Sequence, residues 1–175
     1  MIDVSEKERT LRVAIARAEL RVSDEVMALL SEGRLEKGDA LSAARLAGIT
    51  GAKLTPMLLP LCHPIALQGI EVAIACDAKA GVVRIETCVR ALDRTGVEME
   101  ALTAATAAAL TIYDMCKRHD RAMEICSVRL VQKSGGRSGD WNRPGESRAS
   151  NSGKSTAKIS TKRRSPAPSK GLRTP

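Results

Sequence analysis

The stretch IEVAIACDAKAGVVRIETCV, residues 70–89, decides the fold class. Ile70, Val72, Ile74 and Cys76 alternate with Glu71, Ala73 and Ala75, which is the period of a half-buried strand. Asp77-Ala78-Lys79-Ala80-Gly81 carries turn chemistry. Val83, Ile85, Thr87 and Val89 then resume the alternation, so the stretch reads as a β-hairpin. A hairpin makes the sheet antiparallel, and one polar side per strand leaves one face of that sheet for helices.

Working outward, Val97 to Arg118 reads as a long helix, Ala-rich and apolar on most sides, hence buried. Ile125 to Val131 reads as a final strand. Upstream, Thr10 to Val22 opens with Leu11, Val13 and Ile15 alternating against Arg12, again a strand. Ser23-Asp24-Glu25 is an N-cap with acids in the first turn of a helix that Gly33 ends. Asp39 to Leu54 reads as a second helix, followed by a proline-rich loop from Thr55 to Pro64. The fold class is therefore α+β, an antiparallel sheet with helices packed on one face. From Gly135 onward Gly, Ser, Pro, Lys and Arg dominate, a composition that predicts disorder. The expected division is a catalytic domain over 1–140 and a basic tail over 141–175.

Composition sharpens this outline. The chain has 175 residues with one Trp, one Tyr and no Phe, so Leu, Ile, Val and Ala must build the core. Small side chains bury less area each, which makes a subunit interface a natural source of further burial. The net charge of +8 is unevenly placed: residues 133–175 hold 11 Lys/Arg and 2 Asp/Glu, leaving 17 Lys/Arg and 18 Asp/Glu before them. A nucleic-acid reading can apply only to the tail, and with Trp141 as its one stacking side chain the tail suits weak electrostatic contact at best. Five cysteines, an odd number without a C-x-x-C pair, suit reduced thiols in the cytoplasm. Pro56, Pro60, Pro64 and Glu71 argue against a membrane span over the apolar segment Leu54 to Cys76.

Several residues can carry chemistry. Asp114 and Lys117 share a face near the end of the long helix, with Tyr113 beside them. They form either an acid/base pair or an ordinary helical ion pair. The apolar run Ala104 to Ile112 before them predicts a buried end, where unpaired charge is costly. At the other end, Thr95-Gly96-Val97-Glu98 fits a capping box that would explain Glu98 without function. Glu100 has no such explanation, and a carboxylate there could accept from two adjacent donors of a guanine-like base. Glu100 and Asp114 are 14 positions apart, roughly 21 Å at ~1.5 Å per residue, so one small ligand should not span them within a subunit. A site shared between subunits is expected.

His63, between Pro60 and Pro64, is either a preorganised site residue or a plain loop histidine. Lys37 precedes Gly38 and the N-cap Asp39, where it could meet a phosphate or act in proton transfer, or be a solvated turn lysine. Cys116 and His119 imitate two metal ligands, but no others are evident, so no metal is expected. Lys133-Ser134-Gly135-Gly136-Arg137 suits a phosphate cradle or a linker. Gly153-Lys154-Ser155 imitates a P-loop, but Arg148 stands where its first glycine belongs, so that reading is rejected.

Taken in order and spacing, Lys37-Gly38-Asp39 with Ala43 to Ile49, Pro60-Leu61-Cys62-His63-Pro64, Thr95 to Thr103, Leu110 to Lys117 and Lys133-Ser134-Gly135-Gly136 resemble one family. It is the molybdenum cofactor biosynthesis protein C family, the cyclic pyranopterin monophosphate synthases, and the resemblance spans residues 1 to about 140. It implies a ferredoxin-like α+β subunit, a homohexamer built as a trimer of dimers with sites between subunits, and a cytoplasmic enzyme. The implied substrate is (8S)-3′,8-cyclo-7,8-dihydroguanosine 5′-triphosphate, converted by acid/base catalysis to cyclic pyranopterin monophosphate and diphosphate. By motif match, Asp114, Lys117 and Lys37 fall on catalytic positions. Leu61, Cys62, His63, Glu98, Met99, Glu100 and Lys133 fall on substrate-binding ones. Asp3 and Arg12 match less distinctive N-terminal positions. No cofactor is required by this resemblance, though Mg2+ could accompany the triphosphate. The chain departs from the family in Asp93-Arg94, where glycine and a basic residue are frequent, and in Arg137, where lysine is common. Two readings compete: a relative that binds nucleotide without turnover, and a nucleic-acid binder acting through its tail.

Overall fold

The computed structural model describes residues 1–146; the rest of the expected basic tail, 147–175, lies outside the described residues. Strands β1 (Thr10–Arg21), β2 (Leu67–Asp77), β3 (Val82–Asp93) and β4 (Glu124–Ser134) form an antiparallel sheet with helices α1 (Asp24–Glu32), α2 (Ala40–Leu58) and α3 (Glu98–Cys116). A short fifth strand, β5 (Trp141–Asn142), completes the order β2-β3-β1-β4-β5. Leaving out α1 and β5, the chain runs β-α-β-β-α-β with two outer strands flanking β3 and β1. This is the ferredoxin-like split βαβ arrangement.

The hairpin forms as its alternation dictates. Asp77 Oδ1 accepts from the Ala80 amide at 3.1 Å, and Gly81 takes the left-handed backbone, φ 64°, that closes the turn. Strands β1 and β3 pair without slippage from Thr10↔Asp93 to Arg21↔Val82. That register turns Ala14, Ala16, Ala18 and Leu20 of β1 and Val83, Ile85, Val89 and Ala91 of β3 into the core.

The core makes up for its lack of aromatics by close approach. Ala101, Ala105, Ala108 and Ala109 of α3 lie on the alanines of β1. Thr87, fully buried on β3, donates its hydroxyl to the Ala101 carbonyl at 2.8 Å, tying sheet to helix. Helix α2 crosses α3 at glycine: a Cβ at Gly51 would stand 2.8 Å from the Ala107 Cβ. The opposite sheet face is polar, with Arg17 and Arg129 both ion-paired to Glu146.

Three local expectations are corrected. Helix α2 does not stop at Leu54; it runs through Pro56 to Leu58, because Thr55 is buried and its hydroxyl donates to Gly51 O at 3.2 Å. The lost Pro56 N–H is one bond near the helix end, outweighed there by packing. The capping box at Thr95 does not form: Val97 is the N-cap residue and no side chain caps α3. Residues 135–146, expected without structure, fold back on the sheet. Gln132 pairs with Asn142 and Lys133 with Trp141, while the Arg143 amide donates to Val131 O at 2.8 Å. No long apolar run marks this segment because backbone pairing and charge, not burial, anchor it. Among the described residues no helix is long and apolar enough to cross a membrane.

Candidate active site

The fold divides the sequence-predicted residues between the two ends of α3. At its N-terminal end, the α2–β2 loop brings Leu61, Cys62 and His63 against Glu98, Met99 and Glu100, around a hollow of about 250 Å3. Residues Ile2, Val4 and Lys7 close one side. Asp3 lies beside this group; its carboxyl is held low by hydrogen bonds from Ser5, with a smaller pull from His63. Glu100 is 2 % exposed, a carboxyl nearly cut off from water. Desolvation, seconded by the charge of Glu98, pushes its pKa up to about 7. Burial and then Glu100 push the Cys62 thiol up.

A second hollow, about 540 Å3, opens beside the first and shares Lys7, Thr95, Gly96 and Glu98 with it. Arg12, Arg94, Lys133 and Arg137 bring further positive charge, set against Glu6, Glu8 and Glu98. Freed of any capping role, Glu98 folds over Gly96, where a Cβ would collide with its carboxylate, and so faces both hollows. Arg12 donates to the carbonyls of Asp93 and Arg94, each at 3.1 Å. Its guanidinium lies against Gly136, where the left-handed φ of 76° and the lack of a side chain make room. Lys133 Nζ donates to Gly139 O at 2.6 Å and to the Ser138 hydroxyl, which shapes the glycine-rich loop.

At the other end of α3, Lys37 comes from the turn before α2 and Lys117 from the residue that ends α3. Lys117 Nζ reaches Asp114 Oδ1 at 2.6 Å; Lys37 Nζ reaches Oδ2 at 3.2 Å and the Asp114 carbonyl at 3.0 Å. Asp39 sits next to Lys37 in chain and caps α2, accepting from the Ser42 amide at 2.9 Å, which fixes the turn. The two ammonium groups, Lys117 foremost, hold the Asp114 carboxyl below its ordinary range. The expected burial is corrected here: the side chains of Lys37, Asp114 and Lys117 are 50 %, 58 % and 52 % exposed. The inner face of α3 stays buried to its last residue, Cys116, but Asp114 lies on the opposite face of that last turn, in line with exposed Leu110 and Lys117. Two lysines on one carboxylate leave a net positive charge, suited to an anionic ligand, and set proton donors beside an acceptor.

Cys116 is buried in the core and His119 contacts Glu25 Oε1 at 3.1 Å, so the imitation metal pair is used otherwise. Among the described residues no three His, Cys, Asp or Glu side chains gather around a metal-sized point. A separate hollow of about 500 Å3 on the polar sheet face contains none of the sequence-predicted residues. Thr10 and Lys7 were missed by sequence reasoning. Neither sits in a motif, and only the meeting of β1 with the β3–α3 turn reveals them.

The fold defines an α+β protein with a lysine–aspartate–lysine cluster at one end of α3 and a hollow richer in cations than in carboxylates at the other. A model of the MoaC family matches residues 1–136. The chain is 54 % identical over 141 residues to the cyclic pyranopterin monophosphate synthase of Roseiflexus sp. (strain RS-1), covering 81 % of this chain and 89 % of that one. It is 52 % identical over 143 residues to the protein of the same name from Pelobacter propionicus, covering 82 % and 89 %. For the one from Dinoroseobacter shibae the figures are 53 % over 139 residues, 79 % and 88 %. The chain belongs to the MoaC family.

Proposed function

We propose that this protein converts (8S)-3′,8-cyclo-7,8-dihydroguanosine 5′-triphosphate to cyclic pyranopterin monophosphate, releasing diphosphate, in molybdenum cofactor biosynthesis. Synthases of that name are 54 % and 52 % identical to it over 141 and 143 residues. The observation that carries the reading is the convergence of Lys37 and Lys117, 80 positions apart, on the two oxygens of Asp114. Closing a cyclic phosphate forms a bond from a substrate hydroxyl to the α-phosphorus and breaks the bond to the departing diphosphate. The hydroxyl must lose a proton, and the leaving group gathers charge. Lys37, Lys117 and Asp114 act as the acid/base set for these transfers and for the ring rearrangement. Glu100 accepts from the guanine-derived edge, with Leu61, Cys62, His63, Glu98 and Met99 around it and Asp3 nearby. Lys133 and Arg12 meet phosphate through the donors their loop contacts leave over. These steps need no cofactor; Mg2+ can accompany the triphosphate.

The two ends of α3 cannot meet one small ligand within a subunit, so the site is completed by a neighbour. The assembly is a hexamer, a trimer of dimers. Leu46, Leu54, Met57, Leu58 and Leu61 favour association: they follow helical spacing along α2 and its loop, and Met57 is 81 % exposed. Five free cysteines suit a cytoplasmic location.

The test supplies the cyclic dihydro-GTP and follows diphosphate release by the parent, Asp114→Asn and Lys37→Ala. The variants should lose about 10²- to 10⁴-fold in turnover. No turnover by the parent refutes the activity, and unchanged rates in both variants refute the site.

A further inference from the structure

Among the described residues two buried side-chain polar atoms have no hydrogen-bond partner, Thr10 Oγ1 and Arg94 Nε. Both residues line the same hollow, the larger one beside the start of α3. They come together because β1 begins where β3 ends: Thr10 pairs with Asp93, the residue before Arg94. A guanidinium is always protonated and has only donors to offer. Leaving one of them buried without an acceptor is costly, so such a group marks a place where an acceptor is supplied from outside.

The other cations of this hollow are differently placed. Arg12 uses two donors on the Asp93 and Arg94 carbonyls, bracing the turn that carries Arg94. Lys133 holds the Ser138–Gly139 loop. Arg94 makes no ion pair with any described carboxylate. The hollow as a whole has five cations against three carboxylates, so an oxyanion is favoured in it over a neutral or cationic ligand.

We propose that Arg94, seconded by the Thr10 hydroxyl, binds the terminal phosphates of the substrate's triphosphate. The proposal rests on the function proposed above and assigns the side chain that holds the departing diphosphate. Arg94 here is a binding residue whose fork matches two phosphate oxygens, while Arg12 is chiefly a positioning residue for it. The hollow adjoins the one that contains Glu100 through Thr95, Gly96 and Glu98, so a nucleotide can place its base in one and its phosphates in the other.

Calorimetric titration with inorganic triphosphate tests this on the full chain. The variants are Arg94→Met, Arg94→Lys and Thr10→Val, with Lys79→Met in the distant hairpin turn as a control that removes the same charge. Arg94→Met should weaken binding by about tenfold to a hundredfold, Arg94→Lys by less, and Thr10→Val by a fewfold, with Lys79→Met within about twofold of the parent. Equal affinities of Arg94→Met and Lys79→Met, or a parent that does not bind triphosphate, overturn the proposal. Should Arg94→Met not fold, Arg94→Lys carries the test, and parental affinity in it counts against the fork geometry. Turnover of the cyclic dihydro-GTP by the parent separates the two readings. Arg94-dependent triphosphate binding without turnover leaves a polyphosphate site and removes the substrate. Turnover with triphosphate affinity and KM unchanged in Arg94→Met removes the role of Arg94 alone.

Discussion

Replacing Glu100 by Gln should stabilise this protein, and increasingly so as pH rises. Glu100 is 2 % exposed and its ionisation is displaced from the ordinary 4.5 to about 7 by desolvation. A carboxyl with a raised pKa keeps in the folded state a proton that the unfolded chain has already released. Folding is therefore opposed as pH climbs from about 4.5 through about 7, and the loss is complete above that window. At about 1.36 kcal/mol for each pH unit of displacement, the charged carboxylate costs roughly 3 kcal/mol at pH 8 and about 1 kcal/mol at pH 5. Glutamine has nearly the same shape and no charge to desolvate. The stability advantage of Glu100→Gln over the parent should thus grow by roughly 2–3 kcal/mol between pH 5 and pH 8. In thermal unfolding that is on the order of 4–12 °C, measured at one protomer concentration so that association does not enter the comparison. Turnover should fall in the same variant, because the carboxylate is the proposed acceptor for the guanine-derived edge. A difference between the two proteins that stays constant across the window refutes the assignment of a strained, buried carboxyl.

Other consequences are open to simple tests. Gly51→Ala should destabilise by about 1–3 kcal/mol in denaturant unfolding, since its Cβ would stand 2.8 Å from the Ala107 Cβ, and overpacking outweighs the ~1 kcal/mol of helix propensity gained; a neutral or stabilising result contradicts the close crossing of α2 and α3. Oligomers co-expressed from Asp114→Asn and His63→Ala chains should recover about a quarter of parental turnover if each site takes one end of α3 from each of two subunits. Homogeneous preparations of each variant provide the baseline, and absence of recovery argues against shared sites. Shortening the chain after Glu146 should leave diphosphate release within about twofold of the parent, because the bridge from Glu146 to Arg17 and Arg129 stays in place; salt-sensitive DNA binding that disappears with the tail would instead give the tail a separate role.

Much of the architecture was legible in residue order alone, because it depends on neighbours in the chain. The alternation of Ile70 to Cys76 and Val83 to Val89, the Asp77–Gly81 turn and the Ser23 cap each encode their own geometry, and each formed where expected. The motif around Glu100 and that around Asp114 were likewise visible, as was the length of helix that keeps them apart. Tertiary structure decided what local pattern cannot. Burial of Thr55 carried α2 past Pro56, and pairing with β4 ordered residues 141–142 without an apolar run to announce a strand. The expected burial of Asp114 failed because an apolar run before a residue does not say which face of the helix that residue occupies, and Asp114 falls opposite buried Ile112 and Cys116. Most of the site belongs to this second kind. Lys37 meets Asp114, and Arg94 and Thr10 come to line one hollow, only after β1, α2 and α3 have packed. Such contacts depend on long-range packing, and no short window of sequence contains both partners.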